Sequence, residues 1–303
     1  MSDSVLATNT ANVTESAVAG DLQRPRPRGF SAFVRQSPLG AVCLFVILFA
    51  IAFALLGPLV GTGDPEQIDP LAVFASPSRE YPMGTDYLGR SIMARLAIGM
   101  RVSLLIALLA AGLAATIGAT IGLVSGYAGG LTDEVIGRLA DILFAFPTML
   151  LGLLIVMVME PGIPALVVTI LIVTLPIFVR VARGPTLGLK GSEYVLAARV
   201  SGATTRRLIF RHILPNLTGP LLVQTTFSLS VALIAEGALS FLGLGVQPPQ
   251  PSLGSLLRDG KTYMELAPWT MFFPALTLAG LILAINLLGD ELQAVIDPRL
   301  RGR

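Results

Sequence analysis

Apolar positions along this chain gather into long unbroken runs instead of alternating with polar ones. Windows of about 20 apolar residues, enough to cross a hydrocarbon core about 30 Å thick, lie near 39–60, 102–124, 141–159, 163–182, 217–240 and 269–288. The pattern predicts an all-α membrane protein with six transmembrane helices. Only Glu160, Pro161 and Gly162 separate the third window from the fourth, which predicts a tight turn between two helices. Residues 1–37 are polar and end in RPRPRGFSAFVRQSP, with Arg24, Arg26, Arg28 and Arg35 just ahead of the first run. That run exceeds the roughly 7–15 apolar residues of a secretory signal core, so it reads as a span behind a cytoplasmic tail. Residues 38–100 then hold this span and an outer loop, and residues 101–303 hold the other five.

Composition agrees with a membrane setting. The chain has 303 residues, 53% hydrophobic and 13% charged, with a mean hydropathy of +0.77, whereas soluble domains carry about 25% charged residues. A net charge of +2 is too small to point to nucleic acid; the basic residues are sorted by position instead. Lys and Arg collect in cytoplasmic loops. With both termini inside, the inner segments hold the four tail arginines, Arg138, the Lys and Arg of 180–211, and Arg299, Arg301 and Arg303. The outer loops hold Arg79, Arg90, Arg95, Arg101, Arg258 and Lys261. Arg90, Arg95 and Arg101 crowd the second span, and an interfacial helix from Gly89 to Met100 would accommodate them. In it, Ile92, Met93 and Leu96 would dip into lipid while the arginines reach headgroups.

Several smaller signals bear on chemistry. The run GLAATIGATIG at 112–122 places small residues at helical spacing, which lets helices approach closely. Pro147 and Pro176 are candidate kinks. Glu236 is a carboxylate within an apolar run, but a helix from Leu217 reaches it only after about 28 Å, which predicts an interfacial acid with a structural partner. Asp141 follows Arg138 by three residues and favours an ion pair there and the helix dipole. Cys43 and His212, the one cysteine and one histidine, cannot build a zinc site. GSLLRDGKT at 254–262 has the wrong spacing for a phosphate loop and no preceding strand, so the chain is expected to bind no nucleotide or other cofactor itself. No serine or acid is placed to form a triad with His212.

The loop at about 183–216 is the longest inner connection and the most basic. Ser192 can cap a short helix whose N-terminus suits Glu193, with Tyr194, Ala197, Ala198 and Ser201 on one face and Gly202 ending it. A second helix can start at Thr204 or Thr205 and run through Arg206, Arg207 and Arg211 until Pro215 breaks it, leaving Asn216 to cap the next span. A ten-residue helix of small residues, about 15 Å long, suits a groove in a partner protein. A linker anchored to lipid headgroups is the other reading of the same pattern.

The loop also resembles the permease subunits of ATP-binding-cassette (ABC) importers, whose cytoplasmic loop reads EAA, three residues, Gly, nine residues, Ile-x-Leu-Pro. Ala197, Ala198, Gly202, Leu214 and Pro215 fall in register, while Leu196 holds the glutamate position and His212 the isoleucine position. The His-Ile-Leu-Pro-Asn ending resembles the dipeptide, oligopeptide and nickel group. PMGTDYLGRSIMARL at 82–96, with Ser91 replacing the usual Asp, SFLGLGVQPPQPSLGSLLRDG at 240–260 and the stretch 267–301 are similar to segments of that group.

The resemblance implies a type I importer permease fold with a cytoplasmic coupling helix, placed in a bacterial inner membrane. It implies a homologous second permease, two cytoplasmic ATPases holding ATP and Mg, and an extracytoplasmic substrate-binding protein. The chain itself would be non-catalytic. Tyr194, Ala197, Ala198, Ser201 and Gly202 would form the ATPase contact and its turn. Arg199, Arg206 and Arg207 would meet ATPase acids or lipid phosphates, Pro215 and Asn216 would lead the motion into the fifth span, and His212 would belong to the same coupling segment. Peptides are the expected cargo, with nickel or another small solute as the alternative. An ion-coupled secondary transporter is the competing class, although such proteins place ionisable residues near the bilayer midplane and this chain has almost none there. An intramembrane enzyme would need paired catalytic residues, which are not evident.

Overall fold

The computed structural model describes residues 37–57 and 64–296, nearly all within the unit that begins at Leu39. The tail at 1–36, the end of the first apolar run at 58–60 and the C-terminal arginines lie outside the described residues. The helices, in chain order, are α1 (Pro38–Leu56), α2 (Ile92–Ala128), α3 (Gly130–Ala145), α4 (Thr148–Met159), α5 (Ile163–Lys190), α6 (Glu193–Val200), α7 (Thr205–Leu208), α8 (Leu214–Phe241), α9 (Leu253–Thr262) and α10 (Trp269–Ile296). Among the described residues, α1, α2, α5, the continuous rod Thr205–Phe241 and α10 are long and apolar enough to cross a membrane.

The third predicted span is not a straight helix over 141–159. Helices α3 and α4 meet at a 94° bend, and the pair makes a sixth span only if counted together. The cause is local. Pro147 supplies no N–H, and Phe146 before it is extended at φ −82°, ψ 133°, the region that a residue preceding proline prefers.

Helix α2 has 37 residues, about 55 Å of rise, and lies parallel to α5. Gly118, Gly122 and Gly126 on one face of α2 admit the α5 backbone. A Cβ on Gly118 would stand 2.6 Å from Phe178 Cβ, one on Gly126 2.8 Å from the Arg183 carbonyl oxygen, and one on Gly122 closer still to Val179. Around this spine Ile106, Val156, Leu166, Ile170, Leu233 and Leu239 are buried and join α2, α4, α5 and α8. On α1, Phe45 and Phe49 face outward, as a lipid-facing helix allows.

The separate interfacial helix expected at 89–100 does not form. Ser91 caps α2, accepting from the Ala94 N–H at 3.4 Å, and the segment from Ile92 is already the first part of the long helix. Ile92 and Leu96 are each 2% exposed, and Arg90 and Arg95 are buried. These arginines find carboxylates instead of headgroups: Arg90 bonds Asp86 at 2.8 Å, and Arg95 lies between Asp86 and Asp259. Only Arg101 of the three is exposed. The outer segment is tied to α10 by Trp269 Nε1, which donates to the Thr85 carbonyl at 3.2 Å.

Glu236 is fully buried and has the structural partner expected of it. Its Oε1 accepts from Ser240 Oγ at 2.7 Å; the Ser103 and Ser252 hydroxyls lie near it, but its Oε2 has no hydrogen-bond partner among the described residues. The same two serines serve the start of α9. Ser103 Oγ accepts from the Leu253 N–H at 3.0 Å, and Ser252 caps the helix in a reciprocal box with Ser255. One carboxylate thus joins α2, α8 and α9. Asp141, predicted to pair with Arg138, bonds Arg180 at 2.5 Å, while Arg138 takes Glu134 at 2.6 Å.

Candidate functional site

Helix α5 runs on to Lys190, so the connection to the fifth span is about 191–213 and not the 183–216 expected. Ser192 occupies the N-cap of α6, but its hydroxyl points back and donates to the Leu189 carbonyl at 2.6 Å. Helix α6 has eight residues, about 12 Å. Fully buried Val195 pins its inner side, whereas Leu196 is 43% and Val200 89% exposed. Gly202 closes it with φ +83°. Its N–H donates to the Arg199 carbonyl and that of Ala203 to the Ala198 carbonyl, each at 3.0 Å, which is the Schellman closure. A Cβ on Gly202 would meet nothing within 4 Å, so glycine is required there for conformation and not for room.

Thr204 Oγ1 accepts from the Arg207 N–H at 3.4 Å and starts α7. The predicted break at Pro215 does not occur. A widened turn at Ile209–Ile213 carries the chain directly into α8, with the Leu214 N–H donating to the Ile209 carbonyl. Pro215 falls in the first turn of α8, where a missing N–H is tolerated. Asn216 is no cap either; its Nδ2 donates back to the His212 carbonyl at 2.7 Å.

Three predicted residues converge at this joint. Tyr194 OH donates to the His212 carbonyl and accepts from Asn216 Nδ2, both at 3.4 Å, and its ring lies 6.4 Å from the His212 ring. Tyr194 therefore ties α6 to the root of α8 through its hydroxyl, while 45% of the residue stays exposed beside Ala197. Beneath the joint, Ile213 and Leu217 pack with Leu123 of α2. The exposed residues of α6 are Glu193, Tyr194, Leu196, Ala197, Arg199 and Val200, with Ala198 half-buried. Ser201 donates to the Ala197 carbonyl at 2.9 Å. Arg206, Arg207 and Arg211 are exposed and do not join the cluster; Arg206 and Arg207 flank Phe210 in a shallow cavity of about 360 Å³.

Other contacts anchor this region to the bundle, and the sequence reading missed them. Arg183 grips Asp133 with two bonds of 2.5 and 2.6 Å, and Ser125 Oγ donates to the same carboxylate at 2.5 Å. Asp133, Asp141, Arg180 and Arg183 line a cleft of about 550 Å³ between α3 and α5. Arg199 reaches Tyr127 at the end of α2, with its guanidinium 6.0 Å from the ring centre; Lys190 Nζ lies 5.6 Å from the same ring. The exposed pair Leu196 and Val200 was also overlooked, although apolar residues four apart on a basic loop are a legible signal.

Comparisons with known proteins agree on one family. Residues 118–302 match the family described as binding-protein-dependent transport system inner membrane component. The dipeptide transport system permease protein DppC of Alkalihalophilus pseudofirmus is 36% identical over 269 residues, covering 89% of this chain and 88% of that protein. The oligopeptide transport system permease protein OppC of Bacillus subtilis is 37% identical, covering 94% and 96%. The glutathione transport system permease protein GsiD of Pectobacterium atrosepticum is 38% identical, covering 89% and 90%. Among solved structures, an inward-facing MetNI methionine ABC transporter chain superposes with a TM-score of 0.56 at 18% identity, covering 68% of this chain and 98% of that one.

Proposed function

Since the chain belongs to the binding-protein-dependent transport system inner membrane component family, we propose that it forms half of the membrane passage of an ATP-driven importer for dipeptides or oligopeptides. Relatives named for dipeptide, oligopeptide and glutathione transport support a peptide cargo. The other half would come from a homologous permease. ATP and Mg would be bound by two ATPases on the side of α6, and an extracytoplasmic binding protein would deliver the peptide. Both termini would lie in the cytoplasm of a bacterial cell whose inner membrane holds the bundle.

The observation that carries this reading is α6 itself. It presents exposed Leu196 and Val200 while buried Val195 and the polar tethers of Tyr194 to Asn216 and Arg199 to Tyr127 hold it to the bundle. Movement of an ATPase seated on that face would pass through Tyr194, His212 and Asn216 into α8. A second route would run along α5 through the Arg183–Asp133 bridge into α3. ATP can shift the populations of inward- and outward-open states only through a preference of the ATPases for one of them, so a rigid handle is what the chain must supply. Gly202 sets the turn that orients it, and Arg206 and Arg207 would meet acids or phosphates at the same surface.

The test is uptake of labelled dialanine by proteoliposomes holding the assembled transporter. Uptake should require ATP on the α6 side and persist when the proton gradient is collapsed. Uptake without ATP that stops with the gradient would identify an ion-coupled carrier and overturn the proposal.

A further inference from the structure

At the end of the bundle opposite α6, the segments 82–95 and 246–259 fold together and gather five charged side chains. Asp86 is fully engaged. Its Oδ1 accepts the Leu88 and Arg90 N–H groups at 2.9 and 3.0 Å, and its Oδ2 accepts Arg90 Nε at 2.8 Å. Arg95 Nε stands 3.5 Å from Asp86, Arg95 Nη2 stands 3.9 Å from Asp259, and Arg258 Nε stands 3.6 Å from Asp259. Three guanidinium groups thus face two carboxylates. Arg95 is only 4% exposed, yet its Nε and Nη1 have no hydrogen-bond partner among the described residues. Buried guanidinium donors are ordinarily filled.

The cluster surrounds a cavity of about 60 Å³ lined by Tyr87, Arg90, Arg95, Gln250, Arg258 and Asp259. That volume holds one planar anionic group and is far too small for a whole peptide. A single excess positive charge matches a monoanion better than a phosphate, and the guanidinium fork matches a carboxylate's two oxygens. Arg258 and Asp259 are the more exposed members, at 36% and 28% of their side chains, and form the mouth. Arg90 and Arg95 lie deep, so a ligand must enter end-on.

We propose that this cavity is a carboxylate-binding site that receives the free C-terminal carboxylate of a peptide before it enters the passage. The proposal rests on the peptide cargo and the orientation argued above. Arg258 would meet the carboxylate first, and the unfilled donors of Arg95 would hold it. Burial raises the Asp259 carboxyl above the usual range against the pull of Arg258, Arg95 and Arg90.

The test uses the full chain in lipid nanodiscs and calorimetric titration with dialanine, dialanine amide and acetate. Dialanine should bind saturably, acetate should compete with it, and the amide should bind at least tenfold more weakly. Arg258→Gln should weaken the acid tenfold or more and leave the amide unchanged. Arg95→Gln should do the same, but Arg258 sits at the rim and decides the matter if the deeper variant misfolds. Equal binding of acid and amide, or dialanine binding that Arg258→Gln leaves intact, would overturn the site. Acetate binding without dialanine binding would assign the carboxylate to a partner protein and overturn the peptide assignment. If the assembled transporter imports dialanine on ATP while the chain binds none, this proposal alone fails; absence of ATP-driven uptake would instead sink the function on which it rests.

Discussion

Substituting Gly118 by alanine tests the α2–α5 spine directly. The new methyl would stand 2.6 Å from Phe178 Cβ and 3.0 Å from the Leu175 carbonyl oxygen, where carbon contacts prefer about 3.5–4.0 Å. Neither neighbour is the free end of a flexible side chain, and Phe178 is fully buried, so relief requires the helices to part by roughly 1 Å. Such overpacking costs about 1–3 kcal/mol, and a gap of that size forfeits a quarter to a half of each lost contact's attraction. Gly112 on the same helix is the control, because a Cβ there meets nothing within 4 Å. Gly112→Ala should be neutral or stabilising by up to about 1 kcal/mol through helix propensity. Thermal unfolding of the full chain in detergent should therefore place Gly118→Ala below Gly112→Ala by about 1–3 kcal/mol, since the helix-propensity gain is common to both. In the assembled transporter, peptide uptake per ATP hydrolysed should fall for Gly118→Ala and hold for Gly112→Ala. Equal stability of the two variants would refute the close approach on which the spine rests.

Gly202→Leu should abolish uptake while the chain still inserts into the membrane, since φ +83° excludes a branched side chain from the closure of α6; normal uptake by this variant would show that the turn is dispensable. Asp133→Asn and Arg183→Gln should each lower uptake severalfold without loss of protein, and the reversed pair Asp133→Arg with Arg183→Asp should recover part of it; independent, additive effects would mean that the bridge carries no coupling. Glu236→Leu should lower unfolding stability by about 1–3 kcal/mol, because it removes the acceptor of the buried Ser240 hydroxyl. Glu236→Gln should cost less, and a Leu variant as stable as wild type would show that the serines do not depend on the carboxylate.

Span positions were legible because lipid imposes a one-dimensional demand on α1, α5, α8 and α10, whose apolar windows the sequence shows directly. The start of α2 was not. Arg90 and Arg95 look like lipid-surface residues until Asp86 and Asp259 are brought beside them, and the pairing with Asp259 spans most of the fold. The bend at Phe146 lay hidden inside an unbroken apolar run in which Pro147 alone marked it. Pro215 misled in the opposite direction, since a widened turn absorbed it and the helix continued. At the site, Tyr194, His212, Asn216 and Gly202 could be found from local pattern. Asp133 and Arg183 could not, because fifty residues separate them and neither departs from the surrounding charge pattern. The hydroxyl box at Glu236 likewise draws on α2, α8 and the start of α9, which only the folded chain brings together.

The central claim, that α6 faces the cytosol and seats an ATPase, is tested most directly by single-cysteine labelling in a Cys43→Ser background. Val200, 89% exposed on α6, and Leu71, 99% exposed at the opposite end, are each replaced by cysteine and treated with an impermeant maleimide. Leu71→Cys should react in intact cells. Val200→Cys should react only after permeabilisation, and more slowly when the ATPases are bound. Labelling of Val200→Cys in intact cells, or at a rate indifferent to the ATPases, would contradict the account.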